Sequence, residues 1–281
     1  MSSIHVFRRA TSLVAALTAA VFVNSATAAT TTVLNFGDGG WTIGDTRNAV
    51  GTNVDPAPGR ADLNQTPPSP GPTGRNALRL ATDTGSSKAT VHQTGVSLGT
   101  IADFSGSYNW YKVEAGAPAA AFKLGIDTSD SNPGSSRPGE AAFDKFLIYE
   151  PYDNPNAADP GAGVWKTQSF DLNNGDWWLV DRTAGNLQVN PPHNSLSLQA
   201  WLNDPTYGAR LSGGTIVNVQ IGQGSGNPNL TSYVDFASYT YGASSATENY
   251  YFGQVPEPAS LALTGLAAIG LFAGRRRLRR A

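Results

Sequence analysis

Trp165, Trp177, Trp178 and Trp201 fall within 37 residues, with Tyr149 and Tyr152 just upstream. Flat aromatic faces suit a pyranose ring, whose C–H groups bury apolar area against them while amides and carboxylates take the hydroxyls. Asn173, Asn174 and Asp176 stand beside Trp177 and Trp178 in a turn-like stretch, so the segment carries the residue types of a glycan-binding surface. Adjacent residues of a strand point to opposite faces, which leaves at most one of Trp177 and Trp178 for a core. Plain packing beneath long loops is the competing explanation for the same aromatics.

Hydrolytic chemistry has weaker support. A retaining glycosidase needs two carboxyl groups about 5–5.5 Å apart, which alternate acidic residues on one strand face would supply. The chain contains no Glu-x-Asp and no Glu-x-x-Glu, and Glu114, Glu140, Glu150 and Glu248 are isolated. Glu150 ends an apolar run but precedes Pro151, which suits a charge on a rim. His193 follows two prolines, the setting of an exposed turn rather than of a triad base. Gly222-x-Gly-x-Gly follows a strand pattern and precedes no helix pattern, so it is not a dinucleotide loop. The absence of cysteine excludes disulfides, thiolate metal sites and a thiol nucleophile. No catalytic residue, and no enzyme, is expected.

The elements that would position these side chains are strands. Charged residues are 14% of the 281, against about 25% for an average soluble domain, while 31 glycines and 18 prolines punctuate the chain. Helix-surface residues are scarce and turn residues plentiful, a composition that leans all-β. In 215–221, Val217, Val219 and Ile221 share one face and Asn218 and Gln220 the other. Phe122, Leu124 and Ile126 alternate with Ala121, Lys123 and Gly125; Val234 and Phe236 oppose Tyr233, Asp235 and Tyr239. Further strands are expected over 33–36, 77–81, 89–93, 108–113, 145–150 and 165–170. A short helix is expected over 195–202, capped by Asn194 and stopped by Pro205. The stretches 54–74, 127–139 and 151–163 read as loops. Residues 29–252 thus form one domain, a single jelly-roll-like β-sandwich.

Both ends stand apart from that domain. Arg8 and Arg9 precede an uncharged run over 13–23 and then Ala26-Thr27-Ala28, the layout of a secretory signal peptide over 1–28. At the other end, residues 259–274 are uncharged and Arg275-Arg276-Arg277-Leu278-Arg279-Arg280 follows. As a helix these 16 residues would run about 24 Å, short of a hydrocarbon core of about 30 Å unless flanking arginines snorkel. The positive-inside rule keeps the basic tail, 275–281, in the cytoplasm and sends everything before it across, the orientation the signal also demands.

Val255-Pro256-Glu257-Pro258-Ala259-Ser260, a short transmembrane segment and a basic end closely resemble the PEP-CTERM sorting signal, here over 253–281. The resemblance implies a Gram-negative exported protein held in the inner membrane until an exosortase, a membrane protease/transpeptidase, acts on it. It also implies a link to extracellular polysaccharide. Val255, Pro256, Glu257 and Pro258 would be its recognition element. Two prolines around a glutamate also keep the segment extended, a form a protease groove can capture. More locally, Leu34-Asn35-Phe36 with Gly37-Asp38-Gly39-Gly40-Trp41, and Tyr233-Val234-Asp235-Phe236, look like the terminal strands of jelly-roll modules, carbohydrate-binding and concanavalin-like. That resemblance implies pairing of first and last strands, and a structural calcium ion on Asp235 with Asn35 or Asp38 as partners. No other cofactor is expected.

Removing Arg8, Arg9, five tail arginines and Glu257 from 19 basic and 21 acidic residues leaves 12 and 20, a net charge of −8. Such a body disfavours nucleic acid as a partner. The expectation is a Sec-exported protein that reaches the cell surface or matrix, non-enzymatic and structural. The alternative is a glycan-binding surface module for exopolysaccharide, with Trp165, Asn173, Asn174, Asp176, Trp177 and Trp178 as its contacts; a glycan hydrolase is the outsider.

Overall fold

The computed structural model describes residues 28–44, 46, 59–84, 87–115, 119–130, 142–154, 162–189, 195–224 and 229–255. The expected signal peptide up to Thr27 and the tail from Pro256, with the expected transmembrane segment, lie outside the described residues. Among the described residues, alternating apolar positions become fourteen strands, joined by short helices near the end of the chain. The order is β1 (Ala29–Thr32), β2 (Trp41–Ile43), β3 (Gly59–Gln65), β4 (Ala77–Thr82), β5 (Ala89–Thr94), β6 (Ser105–Lys112) and β7 (Ala121–Asp127). It continues through β8 (Lys145–Tyr149), β9 (Lys166–Phe170), β10 (Trp177–Asp181), β11 (Leu187–Val189), α1 (Leu198–Leu202) and α2 (Gly208–Gly213). Strands β12 (Thr215–Gln223), β13 (Leu230–Tyr241) and β14 (Ala246–Tyr251) close it. Strand β3 falls inside the stretch read as a loop, because its sequence, GRADLNQ, has too few apolar residues to show a period.

One seven-stranded sheet runs β11-β10-β8-β7-β12-β5-β2, every neighbour antiparallel. The other is built around β13. Along one side of β13 lies β6, followed by β9. Its other side changes partner midway, pairing β4 through 230–234 and β14 through 236–241. Strands β3 and β1 flank those two partners, β1 lying parallel to β14 with Ala29 opposite Glu248. The first and last strands therefore do pair. They are not the segments named from the sequence, however: β1 ends before Leu34, and β14 follows the Tyr233–Phe236 segment.

The change of partner coincides with a β-bulge. Opposite β6, Val234 faces Trp110 and Phe236 faces Asn109, so Asp235 is an extra residue. The bulge reverses the phase of the remainder of β13: Val234, Ala237 and Tyr239 enter the core, while Phe236 packs outside it on Tyr251 at 5.0 Å. The expected grouping of Val234 with Phe236, against Tyr239, is corrected accordingly. A second bulge, between Ile216 and Asn218, likewise puts Ile216 in the core in place of Val217.

Between the sheets the core is strongly aromatic. Phe122 lies 4.8 Å and Trp177 5.1 Å, centroid to centroid, from Phe170. Each such ring contributes about 1.5–3 kcal/mol by leaving water. Helix α1 closes one end by inserting Leu198 and Trp201, and the Trp201 indole N–H donates to the Trp177 carbonyl at 2.8 Å. Its cap is Ser197, which accepts from the Ala200 amide at 3.2 Å. The expected start at 195 is too early, because Leu196 is held extended in a bridge to Trp177; Asn194 lies outside the described residues. Helix α2, not foreseen, packs Leu211 into the same core.

Candidate ligand-binding face

The strand period sorts the β11-to-β2 sheet into two unlike faces. Inward positions carry Val91, Phe122, Leu124, Leu147, Tyr149, Trp177, Leu179, Val219 and Ile221. Outward, the register aligns Thr42, His92, Gln220, Lys123, Ile148 and Trp178 in one row across six strands. The next row holds Thr94, Asn218, Gly125, Phe146, Val180 and Gln188. These twelve outward positions thus contain two aromatics, three amides, a lysine and a histidine, and no carboxylate.

The β5–β12 side of this face is closed, with Thr90, His92 and Gln220 each 3% exposed. Over β7, β8, β10 and β11 it opens as a cleft of about 300 Å³. Ile148, Val180 and Phe146 make its apolar surface around Trp178. Lys123 lies with its ammonium 5.9 Å from the centre of the Phe146 ring, a cation–π distance. Arg182, one alternation beyond Val180, donates from Nη1 to the Phe143 carbonyl at 2.5 Å and lays its guanidinium 4.8 Å over that ring. Glu150, Asn186, Gln188 and Lys88 complete the polar lining.

Only Trp178 of the glycan set named from the sequence lies on this cleft. Trp177, one residue away, is fully buried in the core. Trp165 stands on the outer face of the other sheet, 5.5 Å from Tyr111, donating its indole N–H to the Ser69 carbonyl at 2.8 Å. Asn173 and Asn174 are exposed in the turn that carries the chain from β9 in one sheet to β10 in the other. Asp171 organises that turn, accepting both asparagine amides and the Asn174 side chain. The Asn174 side chain, followed by the Asn173 amide, holds the Asp171 carboxyl below its ordinary value. Asp176 is tied to Asn154 through its backbone, and burial raises its carboxyl. The turn residues therefore brace a crossover and do not share a surface with Trp178.

The proposed calcium ligands likewise have separate settings. Asp38 Oδ2 accepts the Leu34 and Asn35 amides at 3.0 and 2.9 Å, and the Asn35 amide, with that of Leu34, lowers its carboxyl. Asp235, fully buried at the bulge, accepts the Thr73 amide and hydroxyl on Oδ2 at 3.1 and 2.8 Å. Burial raises the Asp235 carboxyl, against the pull of Thr73 and Asn109. Both carboxyls face hydrogen-bond donors, whereas calcium takes six to eight oxygen ligands. Among the described residues no group of three or more acidic or histidine side chains is placed to hold a metal ion.

Lys88, Phe146, Arg182, Asn186 and Gln188 were not singled out from the sequence. Period two was the available signal: 146, 148 and 150, then 178, 180 and 182, are the outward positions of two short runs. Gly95-Val96-Ser97-Leu98-Gly99 also has nucleophile-elbow spacing. Its serine is exposed in the loop after β5, and only the single 3-10 turn Ile101–Asp103 follows, so the strand-to-helix elbow is missing.

Residues 254–277 match the family model of the PEP-CTERM protein-sorting motif. That motif marks an exported protein handled at the membrane by an exosortase. Among curated proteins none matches the chain. A solved structure described as "CBM4 structure and function" is 14% identical with a TM-score of 0.31, covering 73% of this chain and 96% of its own. A Bacteroides thetaiotaomicron protein assigned to sugar binding is 14% identical with a TM-score of 0.34, covering 74% of this chain and 92% of its own.

Proposed function

We propose that this exported chain is a non-enzymatic glycan-binding protein, delivered by Sec-type export to the surface or matrix of a Gram-negative cell, with the β-sandwich cleft as its binding site. The observation that carries the reading is Trp178: Trp177 fills the core, whereas Trp178, 8% exposed and packed on Ala121 and Ile148, borders a recess lined by apolar, amide and charged groups. That combination stacks a sugar ring and satisfies its hydroxyls.

Binding without hydrolysis is the form the cleft supports. Glu150 is the only carboxylate among the described residues that line it, and both glycosidase mechanisms use two. Titration of soluble polysaccharides against tryptophan fluorescence tests the reading. Trp178→Ala is expected to weaken binding by about 10- to 100-fold, the usual effect of truncating an aromatic anchor, while Trp165→Ala leaves it unchanged. No response to acidic or neutral glycans would overturn the proposal.

A further inference from the structure

We propose that Asn64, Arg75, Asn76 and Gly253 form a seat that decides where the exosortase cuts, by withholding the residues ahead of Val255 from its groove. The inference uses the export and sorting of the chain and is independent of the glycan-binding reading. Strand β14 ends at Tyr251, yet each of the next three residues is held. Phe252 is fully buried, 5.1 Å from Trp41, and its amide donates to the Asp235 carbonyl at 3.1 Å. Gly253 lies so close to Asn76 that an added Cβ would come within 2.5 Å of that residue's backbone carbonyl. The backbone of Gln254 is paired on both sides: its amide donates to Asn64 Oδ1 at 3.1 Å, and its carbonyl accepts the Asn76 amide at 3.0 Å.

Gly253 and Gln254 belong to no strand, so the hold on them comes from side chains and a bulge. Asn64 interrupts the β3–β4 register, where Asp62 faces Arg79 and Gln65 faces Ala77. It takes a left-handed φ of 56°, which asparagine tolerates better than most residues. Its Oδ1 also accepts Asn76 Nδ2 at 3.1 Å, and Asn76 Oδ1 accepts the Thr66 hydroxyl at 3.3 Å. Arg75 lays its guanidinium 4.4 Å over the Tyr251 ring, with Nη1 3.5 Å from the Gly253 carbonyl. Holding stops at Gln254, Val255 is 53% exposed, and the matched sorting motif begins at residue 254. An enzyme that takes an extended segment needs its backbone groups free, and those of Gln254 are not. Chain length tightens the limit. Five steps separate Gln254 from Ala259, where the expected transmembrane segment begins, so the seat keeps the body within about 18 Å of it. Only release of Gly253 and Gln254 lets the cut move upstream. The cut itself breaks one peptide bond: water or an acceptor amine takes the acyl carbon on the body side, and the tail leaves with a new amino group.

The test pairs amide hydrogen exchange on the full-length chain in mild detergent with mass spectrometry of C-termini from the native host. Asn64→Gly keeps the left-handed backbone and removes the oxygen that holds the Gln254 amide. That amide is expected to exchange about fivefold faster, the effect of one lost hydrogen bond. Cleavage of a locally opened segment follows the population of the open form, so C-termini at 252–254 should rise by about fivefold. Gly253→Ala, which pushes against the Asn76 backbone, should act in the same direction if the first variant does not fold. Faster exchange with the wild-type C-terminus unchanged would overturn the proposal. So would a Gln254 amide without protection in the wild type, or wild-type protein that keeps its tail; each of these leaves the glycan-binding reading standing.

Discussion

Lys145 has no exposed surface, and three carboxylates stand around its ammonium. Asp130 lies at 2.9 Å, Asp181 at 3.2 Å and Asp144 at 3.9 Å. Asp144 also accepts the Thr128 amide and hydroxyl and the Asp130 amide, so the cluster ties the chain after β7 to the strand that begins at Lys145. Sequence alone gave no warning, since Lys145 merely opens an apolar run and two of its partners lie 15 and 36 residues away. Removing one member of a buried ionic group leaves the others uncompensated, so Lys145→Ala is expected to cost about 3–5 kcal/mol in urea unfolding. The cluster also sets a pH response. The Lys145 hydrogen bond holds the Asp130 carboxyl below 3.8. Burial alone would raise Asp181, but the Thr183 hydroxyl and Lys145 outweigh it and lower its carboxyl as well. A carboxyl depressed on folding contributes stability above its unfolded value and loses it as pH falls through the folded value. Wild-type stability should therefore decline as pH drops below about 4, with a shallower decline in Lys145→Ala. Equal slopes in unfolding at pH 3 to 6 would refute this account.

Strands announce themselves through alternation, and that signal fails wherever an extra residue enters. The runs 122–126, 145–149 and 219–221 were legible because each keeps one phase from end to end. Strands β12 and β13 each contain a bulge, and both assigned faces go wrong at it: Val217 loses its core place to Ile216, and Phe236 to Ala237. Nothing local marks the β13 bulge, since its cause is tertiary: β13 must leave β4 and join β14 at Asp235. The loop with Pro67, Pro68, Pro70 and Pro72 closes over that point. At Gly71 an added Cβ would come within 2.2 Å of Asp235 Oδ2 and 3.1 Å of Trp165 Cζ2. Neither neighbour can retreat freely, because Asp235 is held by Thr73 and Trp165 by Ser69. Gly71→Ala should destabilise by about 1–3 kcal/mol and shift Trp165 emission toward that of an exposed indole. An unchanged melting temperature with unchanged emission would show that the loop does not seal the bulge.

Chemistry and address are encoded differently along the whole molecule. The cleft draws on Lys88, Lys123, Phe146, Trp178 and Gln188, scattered over 101 residues and brought together only by strand order. Of the residues the sequence grouped together, Trp178 alone lies on the cleft, because the sheet crossover carries its turn neighbours away. The sorting motif is contiguous and matches over 254–277, so it was readable in full without any fold. Strand β14 ends at Tyr251, and the Gln254 carbonyl accepts the Asn76 amide at 3.0 Å, which anchors the chain to the sandwich just ahead of the motif. A protease acting on Pro256-Glu257-Pro258 would thus work at the end of a fixed lead from a folded body, and its cut would leave both sheets intact. Mass spectrometry of the protein recovered from its native host is expected to find a C-terminus near Val255 and no trace of Arg275 to Arg280. Replacing Pro256, Glu257 and Pro258 together by alanine should leave the tail in place and the protein in the membrane fraction, with glycan binding by the cleft unchanged. An intact tail on the wild-type protein, or removal of the tail from the alanine variant, would show that these three residues do not direct the processing.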